Sequence, residues 1–182
     1  MTRFSTTGAT IRRAGVCVAA SAWALAACLA SAADASALRT RLVLAAEPAG
    51  AVSITAAKQK LTTTPQPVVV AGRIGARGME PFVDGKASFS LVEIPTDDHA
   101  AKPGHDADGC PFCKKRNANS PLAAVRFLGD DGKEIPVDAR TLFGVKKGQD
   151  VVVRGTAIFD PKLGIPVIQV TADGIHVRPA AR

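Results

Sequence analysis

Side chains able to grip a soft metal or exchange disulfides are concentrated in one stretch, His99-Ala-Ala-Lys-Pro-Gly-His105-Asp-Ala-Asp-Gly-Cys110-Pro-Phe-Cys113. The chain has three His and four Cys, and only His176, Cys17 and Cys28 lie elsewhere. Two thiolates and two imidazoles form a ligand set for tetrahedral zinc. Cys110 and Cys113 have the spacing at which a knuckle turns both sulfurs toward one ion. The metal site expected here is therefore His99, His105, Cys110 and Cys113, with zinc as the ion and thiolate-loving cuprous copper as its competitor. Asp106 and Asp108 could orient His105, or one of them could replace His99 as the fourth ligand.

Two other chemistries use the same cysteines. Cys110-Pro-Phe-Cys113 resembles the redox pair of thioredoxin-like proteins, although the βαβ setting of that fold is missing around it. The basic run Lys114-Lys115-Arg116 is expected to lower the thiol pKa by favouring thiolate. The plainest alternative is a local disulfide closing a surface loop in an oxidising compartment. The order His-x5-His-x4-Cys-x2-Cys matches no familiar zinc-finger pattern, so metal, structural disulfide and redox pair all stay open here, in that order.

The segment that precedes this chemistry reads as an export signal. Arg12 and Arg13 lead into an uncharged Ala-rich run over 14–29, followed by small residues at Ala30, Ser31, Ala32 and Ala33. That is the n-region, h-region and small-residue exit of a secretory signal over 1–33, and the run is short and weakly apolar for a membrane span. Two exits compete. Ala30-Ser31-Ala32 suits ordinary cleavage, whereas Leu25-Ala26-Ala27-Cys28 resembles a bacterial lipobox, in which acylated Cys28 would hold the protein on a membrane. Removing 1–33 takes three Arg and no acid, lowering the formal charge from +7 to about +4. That balance is too mild to argue for nucleic acid. The expected location is the periplasm or cell envelope, and no protein partner can be named.

Residues 34–66 read as a flexible tether. They are rich in Ala, Thr and Ser, carry Thr62-Thr63-Thr64-Pro65-Gln66, and contain no aromatic residue. Such a segment is expected to bury too little apolar surface to offset its ordering entropy, with room for a helical turn or two over 37–46 and another over 54–61. From Pro67 the pattern changes to β-branched runs bounded by turn residues. Strands are expected over 68–75, 86–94, 122–128, 151–159 and 165–171, with a short extension over 174–178. Asp138 and Gly144 bracket a short helix as N-cap and stop. Phe89, Phe127 and Phe159 are expected to fill the interior, Phe82 and Phe143 to close its ends, and His176 to face solvent.

Five short strands with one helix between the third and fourth suggest an all-β, five-stranded Greek-key barrel. Val69-Val70-Ala71-Gly72-Arg73-Ile74 leading to Phe89-Ser90-Leu91-Val92, and Gly148-Gln-Asp-Val151-Val152-Val153-Arg154-Gly155 leading to a final Ile/Val strand, resemble the OB-fold superfamily. Residues 67–178 are similar to the small exported bacterial members of it. The resemblance implies a barrel with the His/Cys stretch as a long loop over 95–121, between the second and third strands. It implies little about activity, because one barrel hosts many functions.

Binding of oligonucleotides or oligosaccharides on the barrel face is implied only by that analogy. The lone Trp lies in the signal and Tyr is absent, so base-stacking platforms are scarce. No Ser/His/Asp arrangement, paired-carboxylate site or phosphate-binding glycine loop is visible. Gly72-Arg-Ile-Gly75-Ala-Arg-Gly78 is glycine-rich, but no helix pattern follows it. The expectation is an exported binding protein rather than an enzyme.

Overall fold

The computed structural model describes residues 34–95, 109–118, 121–164 and 167–179. Residues 1–33, where an export signal with a lipobox at Cys28 is expected, lie outside them. Among the described residues no helix is long and apolar enough to cross a membrane.

Five strands close a barrel. They are β2 (Gln66–Ile74), β3 (Ser88–Val92), β4 (Leu122–Phe127), β5 (Asp150–Ile158) and β6 (Val167–Val177), with β1 (Val52–Ser53) ahead of them. β2 pairs antiparallel with β3, β3 with β4, β6 with β5, and β5 back with β2, while β4 and β6 run parallel. The ring order β2-β3-β4-β6-β5 is the order expected of an OB-like Greek-key barrel. The alternation read from sequence is the alternation of burial. Val151, Val153 and Ala157 of β5 face the core, while Arg154 and Thr156 are exposed.

Rings run through the interior in contact. Phe82 and Phe89 lie 6.2 Å apart, Phe89 and Phe127 6.2 Å, and Phe127 and Phe143 4.6 Å. These tilted pairs add attraction beyond the area they bury. Phe159 departs from expectation: it follows β5, is only half-buried, and lies under the Lys58 ammonium, 5.1 Å from its ring centre. The last strand also differs from its reading. β6 runs unbroken through Asp173 and Gly174 because a bulge absorbs the irregularity. Arg154 opposes Gly174 and Gly155 opposes Ala172, so Asp173 is the extra residue. Its carboxylate accepts from Arg154 Nε at 2.7 Å.

The helix between the third and fourth barrel strands is α4 (Ala139–Phe143), with Asp138 as N-cap and Gly144, at φ 69°, ending it. Asp138 accepts from Arg140 N at 2.9 Å and Arg140 Nη2 at 2.7 Å, and Arg140 also donates to Asp84 at 2.6 Å. These contacts, the Arg140 side-chain bonds foremost and opposed by partial burial, hold the Asp138 carboxyl down at about 2 against an ordinary 3.8. A carboxyl depressed on folding stabilises fully above its unfolded pKa and loses that contribution as pH falls toward the folded one. Asp138→Asn keeps a capping acceptor but no charge. Its urea midpoint should therefore lie below that of the native chain at pH 5, with the gap closing by pH 2. A gap independent of pH would contradict the ion-pair account.

The tether expected over 34–66 is not one. Residues 34–42 form a helix, α1, and α2 (Ile54–Lys60) follows β1. Leu42, Ile54, Ala57 and Leu61 are buried in the barrel's own core cluster. The apolar residues of α2 fall at i, i+3 and i+7, one helical face, and that stripe outweighs the polar composition that suggested disorder. Ser53 caps α2 by accepting from Ala56 N at 3.1 Å, and Glu93 at the end of β3 accepts from both Thr55 N and Thr55 Oγ1. β1 lies parallel on β2 at Val70 and Ala71, ahead of the stretch where β3 takes over that edge. At the other end, Val43 bridges Ile175, Leu44 N donates to Ile175 O at 2.8 Å, and Glu47 takes a two-point ion pair from Arg178. His176 is half-buried, contrary to its solvent-facing reading, with Nδ1 3.1 Å from Leu44 O.

Candidate dithiol and metal site

The connection from β3 to β4 was read as lacking regular structure over 95–121. It contains a helix, α3 (Pro111–Asn117). Pro111 occupies the first turn, where its missing N–H costs nothing and its fixed φ suits a helix. Cys110 precedes it as N-cap with extended backbone, and Lys114 N donates to Cys110 O at 3.0 Å. One turn of helix therefore brings Cys113 back over Cys110 on the same face.

The two side chains interact and are not joined by a disulfide in this structure. Their exposure differs: Cys110 is half-buried, whereas Cys113 is wholly buried. Pro111, Phe112, Lys114 and Lys115 are exposed, with Phe112 at 78%. The basic run was expected to favour thiolate, and at Cys113 the opposite holds. Burial pushes its pKa up, and the hydrogen bond and charge coupling with Cys110 push it further in the same direction. Desolvation penalises the anion more than nearby exposed cations favour it. The local disulfide considered from sequence is not formed in this structure.

Of the four expected ligands, Cys110 and Cys113 are brought together. His99 and His105 lie outside the described residues, as do Asp106 and Asp108. Among the described residues no three His, Cys, Asp or Glu side chains group tightly enough to hold a metal. The described part of the site is thus a two-sulfur arm. It can bind half of a tetrahedral ion's shell, or cycle between dithiol and disulfide.

A second arrangement escaped the sequence reading. The turn after β2 has Met79 N donating to Ala76 O at 2.7 Å, with φ of 41° at Arg77 and 87° at Gly78. Positive φ at both central residues makes this a type I′ turn, where Asn-Gly is usual and arginine is strained. Arg77 Nε and Nη2 are buried without an acceptor. The signal in the sequence is the Arg77-Gly78 pair itself, within the glycine-rich run 72–78.

No family model matches the chain, and no curated protein matches it. Among solved structures, one assigned as an aspartyl-tRNA synthetase from Leishmania major Friedlin is similar over 84% of this chain at 11% identity, with a TM-score of 0.44. The matched region is 26% of that structure's chain, so this protein spans about a quarter of its length.

Proposed function

We propose that this protein is an exported OB-like barrel, held at the cell envelope through Cys28, that binds a thiophilic metal ion. Zinc is the first choice and cuprous copper the second. Cys110 and Cys113 supply two sulfurs, and His99 and His105, in the segment leading into α3, supply the remaining ligands. The observation that carries this reading is the convergence of two cysteine side chains on one turn of α3 in a chain so poor in Cys and His.

Metal analysis and native mass spectrometry of the mature protein, purified from membranes under reducing conditions, test this. One zinc or copper per chain is expected, lost in Cys113→Ser and in His105→Ala. Metal-free protein whose melting temperature does not rise when zinc is added would reject the proposal. The same spectrum reports any acyl mass on Cys28.

The unequal exposure of the pair favours a second reading, a thiol–disulfide protein. Cys110, the accessible sulfur, would attack a substrate disulfide, forming a mixed disulfide and releasing one substrate thiol. Cys113 would then attack Cys110 Sγ, releasing the second thiol and leaving the Cys110–Cys113 disulfide. Reduction of insulin, abolished in Cys110→Ser, would support it, and inert native protein would end it.

A further inference from the structure

We propose that Arg77 anchors an oxyanion site, for a carboxylate or phosphate group of a ligand, at the turn between β2 and β3. This site is independent of the cysteine pair. Nε–H and one Nη2–H of a guanidinium point along the same edge, spaced to meet two oxygens of one anion. The same chain shows what that edge takes. Arg73 presents it to Asp150, with Nε to Oδ1 at 2.7 Å and Nη2 to Oδ2 at 3.2 Å. Arg178 presents it to Glu47, with Nε to Oε2 at 3.0 Å and Nη2 to Oε1 at 2.7 Å. At Arg77 the two atoms of that edge are buried and lack any acceptor.

An unpartnered charged donor that has lost its water is expensive, and so is positive φ on a residue with a side chain. Arg77 bears both costs at a position where glycine would bear neither. That combination is expected where a side chain serves a ligand rather than the fold.

The surroundings favour an anion. Ile74, three residues earlier, is tied by backbone bonds to the next turn: Gly148 N donates to Ile74 O at 2.8 Å, and Ile74 N donates to Gln149 O at 2.9 Å. That turn carries Lys146 and Lys147, both exposed. The nearby acids are engaged elsewhere, Asp150 with Arg73 and Glu80 with Arg140, the latter at 3.8 Å. Gly78 and Met79 at the turn's tip are exposed, Met79 at 66%, so the turn that carries Arg77 lies at the surface.

Thermal melts and calorimetric titration of the full mature chain with inorganic phosphate, and separately with acetate, at ionic strength matched by chloride, test the site. One of the two should raise the melting temperature beyond its chloride control. A response to phosphate alone assigns a phosphoryl ligand, and a response to acetate alone a carboxylate. In Arg77→Gly the response should vanish while the anion-free melting temperature stays equal or rises, since glycine relieves the turn. Arg77→Lys, which keeps the charge but not the two-point edge, should weaken binding about tenfold or more. The proposal is overturned if neither anion acts beyond chloride, or if Arg77→Gly responds like the native chain. It also falls if Arg77→Gly melts well below the native chain without anion, which would make Arg77 a packing residue.

Discussion

Gly155→Val is expected to destabilise the barrel by about 3 kcal/mol or more, and Gly155→Ala by a large part of that, because the obstruction is backbone rather than side chain. Position 155 lies on the inward register of β5, opposite the bulge in β6. A Cβ built there would run into the carbonyl oxygen of Thr171 and come within 2.8 Å of Ala172 Cα. A flexible side chain could rotate away, but a strand held on both sides cannot. β6 is fixed by β5 on one edge and β4 on the other. Glycine is the residue that lets two backbones approach this closely. Thr156→Ala, an exposed neighbour, should stay within about 0.5 kcal/mol of the native chain. The chain's single Trp, Trp23, lies outside the described residues and the chain has no Tyr, so urea unfolding should be followed by far-ultraviolet circular dichroism. A Gly155→Ala protein as stable as the native one would mean that the bulge relaxes at no cost.

Ile54→Ala is the second large effect, expected at about 2–5 kcal/mol, the range for emptying a closed site of an aliphatic side chain. Ile54 is fully buried, yet it belongs to the segment whose composition reads as a tether. Were 34–64 merely flexible, substitutions there would be neutral. The structure instead predicts a lowered urea midpoint and faster proteolytic cleavage between Ala51 and Leu61. Equal cleavage of native and variant proteins would show that the segment contributes nothing to the fold. Lys60→Ala, on the exposed side of α2, is the matched control.

How much of this could be read beforehand follows from what each element depends on. The barrel strands were legible because β-branched alternation is a local signal and turn residues punctuate it. α4 was legible because both its caps, Asp138 and Gly144, are residue types chosen for that position. The N-terminal segment was misread because its order comes from non-local partners: the backbone of β2, the carboxylate of Glu93 and the last strand. A helical turn over 54–61 could be read locally, but not that Ile54, Ala57 and Leu61 pack into the barrel core. α3 was misread because Pro111 was taken as part of a knuckle, whereas proline is equally at home in a first helical turn. The cysteines could be chosen by type and spacing, but the burial that separates Cys113 from Cys110 could not.

The bond from His176 to Leu44 joins residues 132 apart in sequence, and the neighbouring Arg178–Glu47 pair spans 131. Leu44 and Glu47, near the start of the described residues, therefore find these partners only in the final strand. A polypeptide made from its N-terminus would hold this leading portion unmated until the rear had been synthesised. Closing so wide a circuit slows the search for the native state. Throughout that wait the sticky faces of α1 and α2, Leu38 and Leu42 on the one and Ile54 and Ala57 on the other, stay uncovered.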